Sequence, residues 1–426
     1  MIRKDFPALR EHYFEETLEN GLVVRVVPRP GFAKKFAFLA TDFGSIDMRF
    51  SFDGRNYAVP AGVAHYLEHK MFDLPEGNAM EIYAKYGGSN NAFTNYTMTA
   101  YYVECTDCFE ENLQTLLHMV MTPYFTDESV EKERGIIEQE IRMYEDSAGS
   151  ACFENLFAAM YGSHPARIPV CGTVESIAEI TPETLYACHK AFYDPENMML
   201  CVVGDVDPER VAGLARQHTP KGTKKRAVRD YGAQEPMTCP QPVVRRQMEV
   251  SMPTFAIGFK CPPASGGAEA ERLELIGDLA AELLTGESSA LYQRLYEQGV
   301  IDGDFSSEFE HMKGLALLVA AGDSDTPEQV LEEILAQARR VGAEGIDRAH
   351  FERLKKSMLG RRTRGLDSFE GGCEMCACGF EGAEYLDYPD VFRTVTPEDV
   401  ELFIRENVIK ERAAISIVEP LETGRV

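Results

Sequence analysis

The sequence predicts an α+β protein of two similar domains, each a mostly antiparallel sheet packed with helices. Three observations carry this. At 426 residues the chain exceeds one ordinary core and suits two domains of about 200 residues each. Each half runs through strands in groups with helices between and after them, an α+β order rather than a regular parallel α/β alternation. Between the halves, residues 216–242 (RQHTPKGTKKRAVRDYGAQEPMTCPQP) are polar, locally basic and rich in proline and glycine, as linkers are. The expected division is therefore 1–215, a linker at 216–242, and 243–426.

In the first half, LVVRVVPR (22–29) and FAFLATD (36–42) are rich in β-branched and aromatic residues and flank a Pro-Gly turn signal, so both read as strands. Residues 60–72 are helix-like. The Gly/Asn turn of GGSNNAFTNYTMTAYYVEC leads into a Thr- and Tyr-rich run read as one strand over 92–105. Helices are expected at 109–121, 127–146, 149–161 and 181–193, the second opening on TDES, with capping chemistry and early carboxylates that suit the helix dipole. NMMLCVVGDVD closes this half as an apolar strand. The second half repeats the plan: PTFAIGFKCP, GLALLVAAGD and AAISIVEP as strands, with EAERLELIGDLAAELLTG, TPEQVLEEILAQARRV and DRAHFERLKKSMLGRRTR as helices.

Composition narrows the function. A net charge of −26 opposes nucleic acid and anionic lipid and favours a basic peptide substrate. The N-terminus lacks a signal-peptide apolar stretch and no later run approaches the ~18 residues of a membrane span, so a cytoplasmic protein is expected. Eleven cysteines, an odd number, fit reduced thiols. Cys105-Thr-Asp-Cys108 and Cys373-Glu-Met-Cys376-Ala-Cys378 lack a matching second pair at zinc-ribbon distance and read as ordinary thiols. DSFEGGCEMCACGFEG is glycine-rich but has no phosphate-loop lysine. His118, His189, His311 and His350, expected on helices, have no partner at ligand spacing; His164 is expected to shape a loop.

GVAHYLEHKMF (62–72) is the segment that carries chemistry. His65 and His69, four apart on a helix, lie ~6 Å apart along its axis and nearly on one face, where both imidazoles can grip one ion. Glu68 sits beside that face, where a base for a metal-bound water belongs. The bland reading is a surface helix with incidental polar residues. A catalytic zinc takes three protein ligands, so a third must come from elsewhere. SVEKERGIIEQEIRMYED offers Glu133 and Glu140, seven apart on one helix face, with Glu140 as ligand and Glu133 as an orienting carboxylate; Glu138 and Glu145 compete. The second half has nothing like HxxEH, so the chemistry is asymmetric.

These segments, with HPARIPVCGTVESIAEIT and NMMLCVVGDVD, resemble successive motifs of the insulinase, pitrilysin and mitochondrial processing peptidase family of inverted-motif zinc peptidases. The length is similar to that of short bacterial members, some associated with elongation factor P 5-aminopentanol modification. The resemblance implies two α+β domains facing each other as half of a chamber. It implies Zn2+ held by His65, His69 and Glu140, with Glu68 as general base and Glu133 as its supporting catalytic-site carboxylate. It makes Asn91, Ala92, Phe93 and Thr94 part of an edge strand along which a substrate backbone pairs. Active members carry an arginine and a tyrosine in the second half; here Tyr296 and Asp302 stand in those places. The expectation is a zinc endopeptidase acting on peptides or unfolded segments, the catalytic subunit of a heterodimer whose homologous partner supplies the missing Arg and Tyr, with a homodimer as runner-up. The alternatives are a non-catalytic scaffold retaining a structural zinc and a cysteine-based redox protein.

Overall fold

Strand-forming runs of alternating or wholly apolar residues assemble two large sheets, beside a three-stranded and a two-stranded one. The structure is a computed structural model and describes residues 1–377, 380, 382 and 384–421. The first sheet contains β1 (Ile2–Phe6), β2 (Glu11–Thr17), β3 (Val23–Pro28), β4 (Lys35–Thr41), β5 (Ser89–Thr94), β6 (Thr99–Cys105) and β7 (Met198–Gly204). Its order is β1-β2-β3-β7-β4-β6-β5, and only β3 and β7 run parallel. The second sheet contains β8 (Val243–Met248), β9 (Thr254–Cys261), β10 (Ser306–Met312), β11 (Leu315–Asp323) and β12 (Ala413–Pro420), in the order β8-β12-β9-β11-β10. Only β8 and β12 are parallel. The last five strands of the first sheet, β3-β7-β4-β6-β5, follow this same path, so the repeat seen in the sequence is a repeat of topology.

The two compact units interleave along the chain. One takes Met1–Ile141, Pro169–Tyr231 and Arg362–Asp387; the other takes Arg142–Ile168, Gly232–Arg361 and Tyr388–Val426. The simple division at 216–242 thus differs from the observed packing at residues 142–168 and 362–387. The reason is visible in the cores. On one face of the first sheet, Val24, Val26, Leu39, Tyr101, Leu200 and Val202 meet the helices of the first half. On its other face Phe36, Phe38, Ala40, Cys201 and Val203 are covered by Leu366, Phe369 and Cys373, from far down the chain. Each of the valines, leucines and phenylalanines among them contributes roughly 1.5–3 kcal/mol by burial, so a sheet apolar on both faces needs both covers. Part of the expected linker also belongs here: Arg229 donates from Nε to Asp47 Oδ1 at 2.9 Å, and Val228–Arg229 pair with Phe50 and Ser51.

Two expectations are corrected. The run 92–105 is not one strand but the hairpin β5–β6, turned at Asn95, whose side-chain oxygen accepts from the backbone N–H of Thr97 and Met98 at 2.9 and 2.8 Å. An Asx turn ends a strand despite favourable strand residues on both sides. His311 lies on β10 rather than a helix. Among the described residues no helix is long and apolar enough to cross a membrane. No disulfide is present among them: Cys105 and Cys373 are buried and Cys108 is exposed, while Cys378 and the side chain of Cys376 lie outside the described residues.

One carboxyl in the second unit gives a stability prediction. Burial, reinforced by the charges of Glu308, Glu274 and Asp278, pushes the Glu310 carboxyl up to about 7. A raised carboxylate pKa leaves stability intact below the unfolded value near 4.5 and removes it as pH climbs through 7. Glu310→Gln is therefore expected to melt a few degrees above the native protein at pH 8, with the gap closing towards pH 4.5. An offset in melting temperature independent of pH would refute the assignment.

Candidate metal centre

Helix α1 (Val63–Lys70) is buried almost all round: Val63, Ala64, His65, Tyr66, Leu67, Glu68 and Lys70 are all buried. That removes the surface-helix reading of its polar residues, since a buried imidazole or carboxylate is costly unless paired. Lys70 is tied to Asp73 and to Ser129 O at 3.2 Å, and Tyr66 OH donates to Val130 O. These bonds fix α1 against α2 (Asp127–Glu145). On α2 the inward stripe is Val130, Ile137 and Ile141, and Glu133 and Glu140 fall within it at helical spacing. Glu145 is exposed. Thr126 and Ser129 exchange hydrogen bonds at the start of α2, as TDES predicts.

The fold brings the expected residues together. His65 Nε2 lies 3.5 Å from Glu140 Oε1, and His69 Nε2 lies 3.4 Å from Glu140 Oε2. The two rings are 4.6 Å apart. Glu133 Oε1 is 3.0 Å from His69 Nδ1, so this carboxylate accepts from Nδ1–H and leaves Nε2 facing Glu140. Nδ1 of His65 is buried with no hydrogen-bond partner among the described residues. Glu68, 8% exposed, accepts from Thr94 Oγ1 at 3.0 Å. Thr94 thus does more than the sequence suggests: its side chain orients a carboxylate. Asn91, Ala92, Phe93 and Thr94 all lie on β5, the last strand of its sheet, which among the described residues pairs only with β6.

A further donor, absent from the sequence reading, is Cys171, with Sγ 3.8 Å from His65 Nε2. Donor atoms of His65, Glu140 and Cys171 lie within 4.8 Å of one another. No spacing rule marks this cysteine, because its partner His65 lies 106 residues upstream.

The electrostatics are those of a cation site. Burial raises the Glu68 carboxyl above its usual range, against the nearby imidazoles. Hydrogen bonds from His65 and His69 hold Glu140 well below the usual carboxylate range. Glu133 is lowered although burial opposes it, because His69 bonds to it. Burial likewise opposes protonation of His69, but the bonds to Glu133 and Glu140 and the charge of Glu68 outweigh it and push its pKa up to about 10. Positive charge is what these three carboxylates stabilise.

Three other histidines make contacts that serve the fold. His118 meets Glu76 at 2.7 Å, His189 Nε2 meets Val120 O at 3.1 Å, and His164 Nδ1 accepts from Ala166 N–H at 3.2 Å to cap a short turn. In the second unit Tyr296 is exposed and stacked on Tyr292 at 5.9 Å.

Comparison with known proteins matches two family models to this chain: Insulinase (Peptidase family M16) over residues 55–174 and the peptidase M16 inactive domain over residues 179–358. The uncharacterized zinc protease YmfH of Bacillus subtilis is 38% identical over 424 residues, 98% of each chain. An M16-like peptidase from Alicyclobacillus acidocaldarius has a TM-score of 0.92 at 33% identity, covering 96% of this chain and 98% of its own. A protease from Helicobacter pylori, at 20% identity, shares the fold with a TM-score of 0.83, over 96% of this chain and 100% of its own.

Proposed function

We propose a function from one premise: the chain belongs to the insulinase family of peptidases, family M16. It is a zinc metalloendopeptidase acting on peptides or unfolded segments. The observation that carries this reading is the approach of two imidazole nitrogens to one carboxylate, at 3.5 and 3.4 Å, beside a buried glutamate. The donor set fits zinc. Bonds of about 2.0–2.1 Å at tetrahedral angles set nitrogen and oxygen donors about 3.4 Å apart, which is the separation found.

His65, His69 and Glu140 are the metal ligands, and Glu133 fixes the tautomer and plane of His69. Zinc held there supplies Lewis acidity and brings the pKa of water at the site towards ~7. Glu68, steered by Thr94, is the group placed to take a proton from a water at the site and pass it to the leaving amine. The substrate backbone adds to the open edge of β5 at Asn91, Ala92, Phe93 and Thr94, which gives affinity with little sequence choice. With Tyr296 and Asp302 in the places of the family's arginine and tyrosine, a homologous second subunit supplies the substrate grip. The active species is a heterodimer.

The test is cleavage of an extended, internally quenched peptide by this chain alone and mixed with a homologous subunit, before chelation, after it and after zinc is restored. Activity that needs zinc and rises strongly with the second subunit is expected. Cleavage that survives exhaustive chelation would end the metallopeptidase reading, and equal activity alone and mixed would end the heterodimer.

A further inference from the structure

Cys171 stands in a loop that the backbone leaves no freedom to wander. Gly62, just before α1, and Gly172, just after the cysteine, adopt φ of 85° and 75°, and they pack against each other's segments. A Cβ on Gly62 would sit 2.4 Å from Cys171 O, and one on Gly172 would sit 2.5 Å from Ala61 O. Such an approach excludes every side chain at both positions. The next turn is locked as well. In α3 (Val174–Ala178) Ser176 Oγ donates to Ala61 O at 2.9 Å, and Thr173 and Ser176 form a reciprocal cap. The segment that carries the thiol is therefore clamped to the residues that open the histidine helix, and the thiol is partly buried at the centre rather than displayed to solvent.

Its position has the dimensions of a ligand. Zinc–sulfur and zinc–nitrogen bonds of about 2.3 and 2.1 Å at a tetrahedral angle separate the two donors by about 3.6 Å. Cys171 Sγ and His65 Nε2 are 3.8 Å apart, with Glu140 in the same group of donors within 4.8 Å. We propose that Cys171 is a sulfur ligand of the zinc, capping the corner of the His65, His69 and Glu140 centre that hydrolysis requires for water. The inference rests on that centre being the zinc site. Sulfur binds as thiolate, its proton leaving to solvent as the sulfur–zinc bond forms, so binding gains a soft donor and releases one proton. Sulfur and water then compete for one corner. The capped protein is a resting form, and the thiol must leave before Glu68 has a water to deprotonate.

Cobalt(II) reports sulfur directly, because a cobalt–thiolate bond gives an intense near-ultraviolet charge-transfer absorption that nitrogen and oxygen ligands lack. The full-length chain is loaded with cobalt(II), and zinc affinity is measured by chelator competition, for the native protein, Cys171→Ala, Cys171→Ser and Glu140→Ala, with melting curves as the folding control. The native protein is expected to show the absorption, both cysteine variants to lose it, and zinc affinity to fall about tenfold or more in Cys171→Ala. An unchanged spectrum and unchanged zinc affinity in Cys171→Ala, with binding still lost in Glu140→Ala, would overturn the thiol ligand and leave the centre standing. Native protein that binds neither metal would overturn both.

Discussion

Glu68→Gln is expected to keep its zinc and lose peptide cleavage by roughly 10²–10⁴-fold, the usual contribution of a positioned general base. The carboxylate is nearly inaccessible and is held by the Thr94 hydroxyl at 3.0 Å. Glutamine keeps an oxygen to accept that bond and keeps the volume, so the substitution removes the proton acceptor and little else. Burial already raises the native carboxyl, which brings its basicity closer to what proton transfer near neutral pH needs. The comparison is of kcat, zinc content and melting temperature between the two proteins, assayed with the second subunit present. Undiminished kcat in the variant would remove Glu68 from the mechanism.

Glu140→Ala is expected to weaken zinc binding by about 100-fold or more, and Glu133→Ala by less, about 10–100-fold. The order follows from geometry. Glu140 reaches both imidazoles, at 3.5 and 3.4 Å, whereas Glu133 touches only the far nitrogen of His69, at 3.0 Å. Removing Glu140 deletes a donor; removing Glu133 leaves every donor in place and frees one ring to turn. Chelator competition on the two variants reads the order, and a larger loss for Glu133→Ala would exchange their roles.

Much of this centre was legible in the sequence, for reasons particular to its residues. Two histidines four apart share a helix face whatever the fold around them, and a buried helix leaves their chemistry only inward outlets. By spacing alone Glu133 and Glu140 competed with Glu138 and Glu145, and the family resemblance singled them out; the inward stripe of Val130, Ile137 and Ile141 that they fall within is visible only in the fold. The strands at 22–29, 36–42 and in the second half were readable as short runs of apolar, aromatic or β-branched residues.

What escaped depends on contacts between distant segments. The hairpin at Asn95 turns on one side-chain hydrogen bond pattern inside a run of good strand formers. The cover that Leu366, Phe369 and Cys373 give to the first sheet follows from that sheet being apolar on both faces, which no local period reveals. Cys171 belongs to no motif. It reaches His65 only because two glycines let its backbone press against Ala61.

The most direct test is an anomalous difference map recorded on either side of the zinc absorption edge from crystals of the chain grown with zinc. A single strong peak within bonding distance of His65 Nε2, His69 Nε2 and a Glu140 oxygen is the predicted result. A map whose zinc peak lies away from these three side chains, or with no peak among them at full zinc loading, would contradict it.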